Sequence, residues 1–261
     1  MNDSEVKQYW EQNAEAWTSL SRAGYDVYRD IVNTPAFLKI LPEVKGLKGL
    51  DIGCGEGHNT RLVAQRGALL TGIDISDTFL RHARTKEAEQ PLGINYLAAS
   101  GQKMEFPDNS FDFCMATMSL MDMPVPAKAI SEAYRVLKPG GFFQFSISHP
   151  CFATTKWQWL RDENGRKSAM VCGDYFIRQD GLIEQWIFGA APEEEKRKYQ
   201  PFKTPRFSGT LSDWINSLIK IGFQMEEFCE PYPDEATAQK YPNVADAAII
   251  AYFLIIRCRK P

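Results

Sequence analysis

The chain has 261 residues, 30 Lys and Arg against 33 Asp and Glu, a formal charge of −3 and 44% hydrophobic residues. That composition excludes a disordered chain and allows a full core, in one large α/β domain or a core domain with an insertion. The near-neutral balance argues against a whole-protein grip on nucleic acid, which needs clustered basic residues to displace phosphate counterions. No apolar run reaches the ~20 residues of a membrane span. The polar start, Met1 to Lys7, lacks the charged-then-apolar pattern of a secretory signal, so the expected location is cytoplasmic. Six cysteines without a CxxC pair supply neither a zinc spacing nor a disulfide framework in a chain of this size, and no metal site is expected.

Residues 1–45 read as an N-terminal helical lid. Ser4 is the expected cap of a helix that lines up Val6, Tyr9, Trp10, Ala14 and Trp17 on one face. The stripe reads first as packing, with part of it able to close over a ligand. A second helical stretch covers 24–41, interrupted at Pro35. From Gly46 strands alternate with helices. Strands are expected at 48–53, 69–75, 94–98, 111–118 and 142–148, and helices at 59–66, 77–89 with Ser76 as cap, and 127–137. This alternation implies right-handed βαβ crossovers and a parallel sheet covered on both faces, with ligands at the carboxyl ends of its strands. Residues 46–150 are therefore the expected cofactor-binding core.

Residues 151–207 break the rhythm: ten of these 57 residues are aromatic, which marks an inserted cap on the acceptor side. Within it, Asp180-Gly181 between Val171–Arg178 and Leu182–Phe188 predicts a hairpin. Residues 208–261 complete the core with a helix over 211–221, a strand over 223–228 and a long apolar strand over 247–258.

Leu50-Asp51-Ile52-Gly53-Cys54-Gly55-Glu56-Gly57 is the most informative segment. Its glycines let the backbone turn sharply and approach a ligand, and the helix that follows presents free N–H groups. Asp74 ends the next strand, where a carboxylate can accept from both ribose hydroxyls. The combination indicates a nucleoside cofactor. A dinucleotide fingerprint would need glycine at position 58, which is His58 here. The carboxylate of Asp51 also suits a cationic ligand, a sulfonium or an ammonium, better than a pyrophosphate.

At these residues the sequence resembles the class I S-adenosylmethionine-dependent methyltransferases, particularly the ubiquinone/menaquinone-biosynthesis-like group. The glycine segment looks like the family's first motif and Gly72-Ile73-Asp74-Ile75-Ser76 its ribose-binding acid. Glu105 to Asp112 and Glu132 to Gly141 resemble two further motifs in the same order. The resemblance implies a Rossmann-like seven-stranded, mostly parallel sheet with one antiparallel strand and helices on both faces. It implies that Gly53, Cys54 and Gly55 approach the methionine part of the cofactor while Asp51 holds the loop. Asp74 would bind the ribose, Ile75 would pack on the adenine, and Ala116, Thr117 and Met118 would line the methionine end. Where the family has an acid beside the adenine, this chain has Ser100, followed by Gly101-Gln102.

Methyl transfer from a sulfonium is an in-line displacement, so the protein chiefly aligns the acceptor and excludes water. A base is needed only if the acceptor loses a proton. His149, at the end of the fifth strand, is the candidate base, with a structural role at the Pro150 turn as the alternative. Trp157, Trp159, Tyr175, Phe176 and Trp186 form either a wall for an apolar or aromatic small-molecule acceptor or the cap's own core. The competing readings are a cofactor-binding regulatory or scaffold protein, a protein or RNA methyltransferase, and a nicotinamide dehydrogenase, the last disfavoured by the loop.

Overall fold

A computed structural model describes residues 1–261. Along the chain run α1 (Asp3–Arg22), a π-helical turn (Arg29–Asn33), α2 (Thr34–Ile40), β1 (Lys48–Ile52), α3 (His58–Ala64), β2 (Leu69–Asp74), α4 (Asp77–Glu89) and β3 (Asn95–Ala98). They are followed by β4 (Phe111–Thr117), α5 (Pro126–Val136), β5 (Leu137–Ser148), β6 (Lys156–Arg161), β7 (Lys167–Gly173) and β8 (Gln179–Trp186). Last come α6 (Glu193–Lys196), β9 (Phe202–Ser208), α7 (Leu211–Ile221), β10 (Gln224–Cys229), α8 (Glu235–Lys240) and β11 (Phe253–Arg259). No helix is long and apolar enough to cross a membrane.

Seven strands form one sheet in the order β10-β11-β5-β4-β1-β2-β3. β1 to β5 pair in parallel, and β11 runs antiparallel between β5 and β10. This is the Rossmann-like sheet with one reversed strand. Strand alternation sorts the core into two layers. Cys114, Ala116, Phe143 and Phe145 face α5 and α7, where they meet Ala129, Ile130, Ala133, Trp214 and Leu218. Phe113, Met115 and Phe142 face the other way, onto Phe37, Val63, Leu80 and Ala83. The polar residues of β5 follow the same rule. Gln144 donates to the carbonyl of Phe37 at 2.7 Å, and the Ser146 hydroxyl accepts from Asn33 at 3.1 Å, which pins the segment before β1 onto the sheet.

The cap differs from the hairpin predicted at Asp180-Gly181. β6 pairs with β7 around Asn164-Gly165, and β8 pairs with the distant β9. Gly181 has φ +81° and is the extra residue where the β8–β9 register shifts between Asp180 and Leu182. The Asp-Gly pair is therefore a bulge inside a strand, since a left-handed glycine serves either geometry. Other boundaries move by local rules. Asn2, not Ser4, caps α1 in a reciprocal box with Glu5. Pro35 sits in the first turn of α2, where its missing N–H costs nothing. The last strand starts at Phe253, because 242–248 form a 3-10 turn.

α1 lies between α4 and the β8–β9 hairpin. The Asn13 amide clamps the Lys203 backbone, donating to its carbonyl at 2.9 Å and accepting from its N–H at 3.0 Å. Trp17 packs on Trp186, Phe188 and Phe202 at ring separations of 5.2, 5.1 and 4.9 Å. On the other side Lys7 pairs with Asp77 at 2.6 Å, and Glu15 meets Arg81 and His82. These ion pairs are exposed and set orientation more than stability; the aromatic cluster carries the docking.

Candidate active site

A single cavity of about 1730 Å³ opens at the carboxyl ends of β1 to β5 and runs under α1 and the two hairpins. Small-molecule pockets usually occupy ~300–1,000 Å³, so this one has room for a cofactor and a second molecule.

The glycine loop forms one wall. After β1 the N–H groups of Gly53 and Cys54 both donate to the carbonyl of Ile73, at 2.8 and 2.9 Å, folding the loop back over β2. Gly53 has φ +76°, and a Cβ there would lie 2.5 Å from Ser119 Cβ. Gly55 has φ +55°, and nothing lies within 4 Å of where its Cβ would be. Its bare face is open cavity. Beneath the loop, Asp51 is buried and accepts from the Thr60 hydroxyl at 2.6 Å, while its other oxygen has no partner. Burial raises its pKa to about 7, and the neighbouring Asp74 adds to the rise against the Thr60 hydrogen bond. Asp51 thus supports the loop from below and does not reach the cavity wall.

Asp74 does reach it. One carboxylate oxygen accepts from Gly55 N–H at 2.8 Å and the other from Ser76 N–H at 2.9 Å. Burial lifts its pKa to about 6, against these backbone donors, which lower it. Each oxygen keeps lone-pair capacity for a further donor. Two vicinal hydroxyls of a ribose fit that requirement, and the bare Gly55 face leaves space for the chain that follows. The residues present therefore fit an S-adenosyl nucleoside.

Of the residues expected at the site, Gly53, Cys54, Gly55, Asp74, Ile75, Ser100, Gly101, Gln102, Thr117 and Met118 line the cavity. Ala116 does not: it is fully buried against the α5 and α7 layer, because alternation along β4 turns it away from its neighbours Thr117 and Met115. Met118 adopts φ +56°, uncommon for a residue with a Cβ, where the chain leaves β4 at the cavity.

Of the two roles expected for His149, its placement fits the structural one. It lies outside the cavity wall and is 3% exposed. Its Nδ1 accepts from Cys151 N–H at 3.2 Å and its Nε2 faces Glu230 Oε1 at 2.8 Å. Nδ1 holds the Pro150 turn and Nε2 ties it to Glu230 after β10, so both ring nitrogens are engaged away from the cavity. The histidine on the cavity wall is His58, whose pKa is lowered by burial and by Arg29.

Several residues on the wall were not legible as site residues. Arg29 and Glu56 stand at the loop end, with Arg29 beside Asp26 and Asp30 and Glu56 accepting from Arg22 at 2.8 Å. Tyr28 and Tyr252 both donate to Asp246, at 2.6 and 2.9 Å, and Lys167 pairs with the same carboxylate. Arg206 joins Asp122 at 2.6 Å to Glu184 at 2.8 Å. Their partners are up to 218 positions apart, and no local pattern marks them. Of the expected aromatic wall, Trp157, Trp159 and Trp186 line the cavity. Tyr175 instead caps α7, its hydroxyl accepting from Leu211 N–H at 2.9 Å, and Phe176 is 83% exposed.

Comparison with known proteins agrees with this geometry. Residues 50–145 match the methyltransferase domain family. The chain is 31% identical over 124 residues to the malonyl-[acyl-carrier protein] O-methyltransferase of Pectobacterium atrosepticum, covering 47% of each chain. It is 38% identical over 116 residues to the demethylmenaquinone methyltransferase of Tropheryma whipplei, covering 44% of this chain and 48% of that one. The chain thus spans about half the length of these curated relatives. A crystal structure of an S-adenosylmethionine-dependent methyltransferase from Mesorhizobium loti is 28% identical, with a TM-score of 0.70 over 86% of this chain and 96% of that chain. By sequence motif, sheet topology and cofactor cleft, residues 50–145 form a methyltransferase domain, and the chain is similar to S-adenosylmethionine-dependent methyltransferases of known structure.

Proposed function

We propose that the chain transfers the methyl group of S-adenosylmethionine to a small, largely apolar or aromatic acceptor. The observation that carries this reading is the continuity of the cavity from the glycine loop to the tryptophans of the hairpins. A bound sulfonium supplies an already activated methyl group, so the protein's work is alignment and exclusion of water. Asp74 holds the nucleoside end. Arg29 and Glu56 offer both charge signs to the amino-acid end. Thr117 and Met118 border the passage to the acceptor chamber, and the Thr117 hydroxyl is fixed by Asn59 at 2.9 Å.

On the acceptor side Trp157, Trp159 and Met170 share one face of the β6–β7 hairpin, because Trp159 is paired with Met170 in an antiparallel register. Among the charged groups nearby Lys167 pairs with Asp246 and Arg206 with Asp122 and Glu184, while Arg161 and Arg166 of the same hairpin line the cavity without an ion pair. Lys167 also lies 4.6 Å above the Trp159 ring, fixing it at the wall. Such a chamber favours a molecule that is recognised by flat apolar area.

The test is an acceptor screen read by release of S-adenosylhomocysteine, starting with apolar aromatics and quinone-like compounds. With the best acceptor, Trp159→Ala raises the acceptor KM about tenfold or more, the scale of one lost aromatic contact, and leaves S-adenosylhomocysteine affinity unchanged. Equal effects on both ligands would remove the acceptor-wall assignment. Turnover of no small molecule, with turnover of a protein or RNA, would replace the reading.

A further inference from the structure

Beyond Asp74 the cavity wall passes from the ends of β2 and β3 onto the first turns of α1. Val6, Trp10, Ile75, Phe79 and Ala99 make that wall apolar, a surface on which a flat heteroaromatic base can pack. Its polar edge is built by two elements, Ser100 and Gln102 from the loop after β3, and Asp3 from α1. The Ser100 hydroxyl donates to one oxygen of the Asp3 carboxylate and the Gln102 side-chain amide donates to the other. The loop's own side-chain acceptors are neutral, and each already takes one N–H. Ser100 Oγ accepts from Gln102 N–H at 3.1 Å, and Gln102 Oε1 accepts from Val125 N–H at 2.7 Å.

A carboxylate offers about four lone-pair sites, and Asp3 uses two of them. Apart from Asp74, assigned above to the ribose, the other carboxylates of the cavity are committed elsewhere. Asp122 and Glu184 serve Arg206, Asp246 serves Tyr28, Tyr252 and Lys167, and Asp26 and Glu56 serve Arg29. Asp3 is also well fixed. The Asn2 side chain accepts from Glu5 N–H at 3.1 Å and Glu5 accepts from Asn2 N–H at 2.7 Å, so the turn that carries Asp3 is closed on both sides. The helix dipole favours a negative charge at that position.

We propose that Asp3 accepts the exocyclic amine of the cofactor's adenine, so that the N-terminal helix, rather than the loop after β3, reads the base. The inference rests on the cofactor assignment. The loop supplies Ser100 and Gln102 as the two donors that aim the Asp3 carboxylate, and the carboxylate supplies the charge-assisted hydrogen bond. A hypoxanthine in the same slot would present a carbonyl oxygen to that carboxylate and be repelled.

The experiment is calorimetric titration of the full chain with S-adenosylhomocysteine and with S-inosylhomocysteine. The wild type is expected to bind the adenine form about ten- to hundredfold more tightly, the range of one hydrogen bond to a charged group. Asp3→Ala should erase that preference, and Ser100→Asp added to it should restore the preference from the loop side. The preference is a ratio of two affinities in one variant, so weaker docking of α1 common to both ligands cancels from it. Retention of the wild-type preference by Asp3→Ala, or loss of both affinities by one factor, would overturn the assignment. Asp74→Asn separates the two levels: if it weakens both nucleosides while Asp3→Ala changes nothing, only the role of Asp3 falls. If the wild type binds neither nucleoside, the cofactor assignment falls with it.

Discussion

Cofactor affinity should depend on pH through Asp74. Burial places its pKa at about 6 in the ligand-free protein. The ribose hydroxyls need an ionised acceptor, so binding is at full strength well above pH 6 and is lost as pH falls through that value. If only the ionised form binds, the apparent Kd grows by the factor 1 + 10^(6 − pH), negligible at pH 7.5 and roughly tenfold at pH 5.0. Stability of the ligand-free chain changes in the opposite sense. The folded-state value lies above the ordinary 3.8, so folded protein holds a proton that unfolded protein has released. Stability then falls as pH rises from about 4 to about 6, by up to ~3 kcal/mol from this group. The assay is titration with S-adenosylhomocysteine between pH 5.0 and 7.5 in two buffers of different ionisation enthalpy, with Asp74→Asn as the reference. Wild type should weaken about tenfold at pH 5.0 and take up close to one proton on unbinding there, and Asp74→Asn should be weak and flat. A wild-type curve parallel to that of Asp74→Asn would refute the reasoning.

Two substitutions in the glycine loop should separate stability from binding. Gly53→Ala brings a Cβ to 2.5 Å from Ser119 Cβ, so both the melting temperature and cofactor binding should drop. Gly55→Ala meets nothing in the ligand-free protein; it should cost only about 1 kcal/mol for the left-handed backbone yet abolish S-adenosylhomocysteine binding. Equal melting losses, or retained binding by Gly55→Ala, would show that the loop is not the cofactor cradle. For His149→Gln, thermal unfolding should come earlier because the Glu230 and Cys151 contacts weaken, while the pH profile of turnover keeps its shape. A lost limb in that profile would return His149 to the role of base.

Much of the fold was legible because its signals are local. Ser76 caps α4 at the expected residue, accepting from Phe79 N–H at 3.1 Å, and α7 has the bounds its periodicity predicts. The glycine loop was legible because glycine is the residue most at ease in its three left-handed positions, at φ +76°, +55° and +88°. The β8–β9 pairing was not. Its partners are 16 to 29 positions apart, from Trp186 with Phe202 to Gln179 with Ser208, and the Asp-Gly signal between them fits a bulge as well as a turn. Which of the two roles His149 takes was not legible for a related reason. A histidine at a strand end is compatible with either side of the sheet edge, and Glu230, the group that claims it, lies 81 positions away.

The amino-acid sequence by itself determined the alternating core and the cofactor class, because each depends on spacing within one strand–turn–helix unit. Only the tertiary structure decided which surfaces face the cavity. It turned Ala116 into the core, left Asp51 beneath the loop and withdrew His149, Tyr175 and Phe176 from the site. It also brought Asp3 across 97 positions to Ser100. The physical reason is that a side chain's direction and its partners follow from packing between distant elements, which carry no periodic trace in the chain.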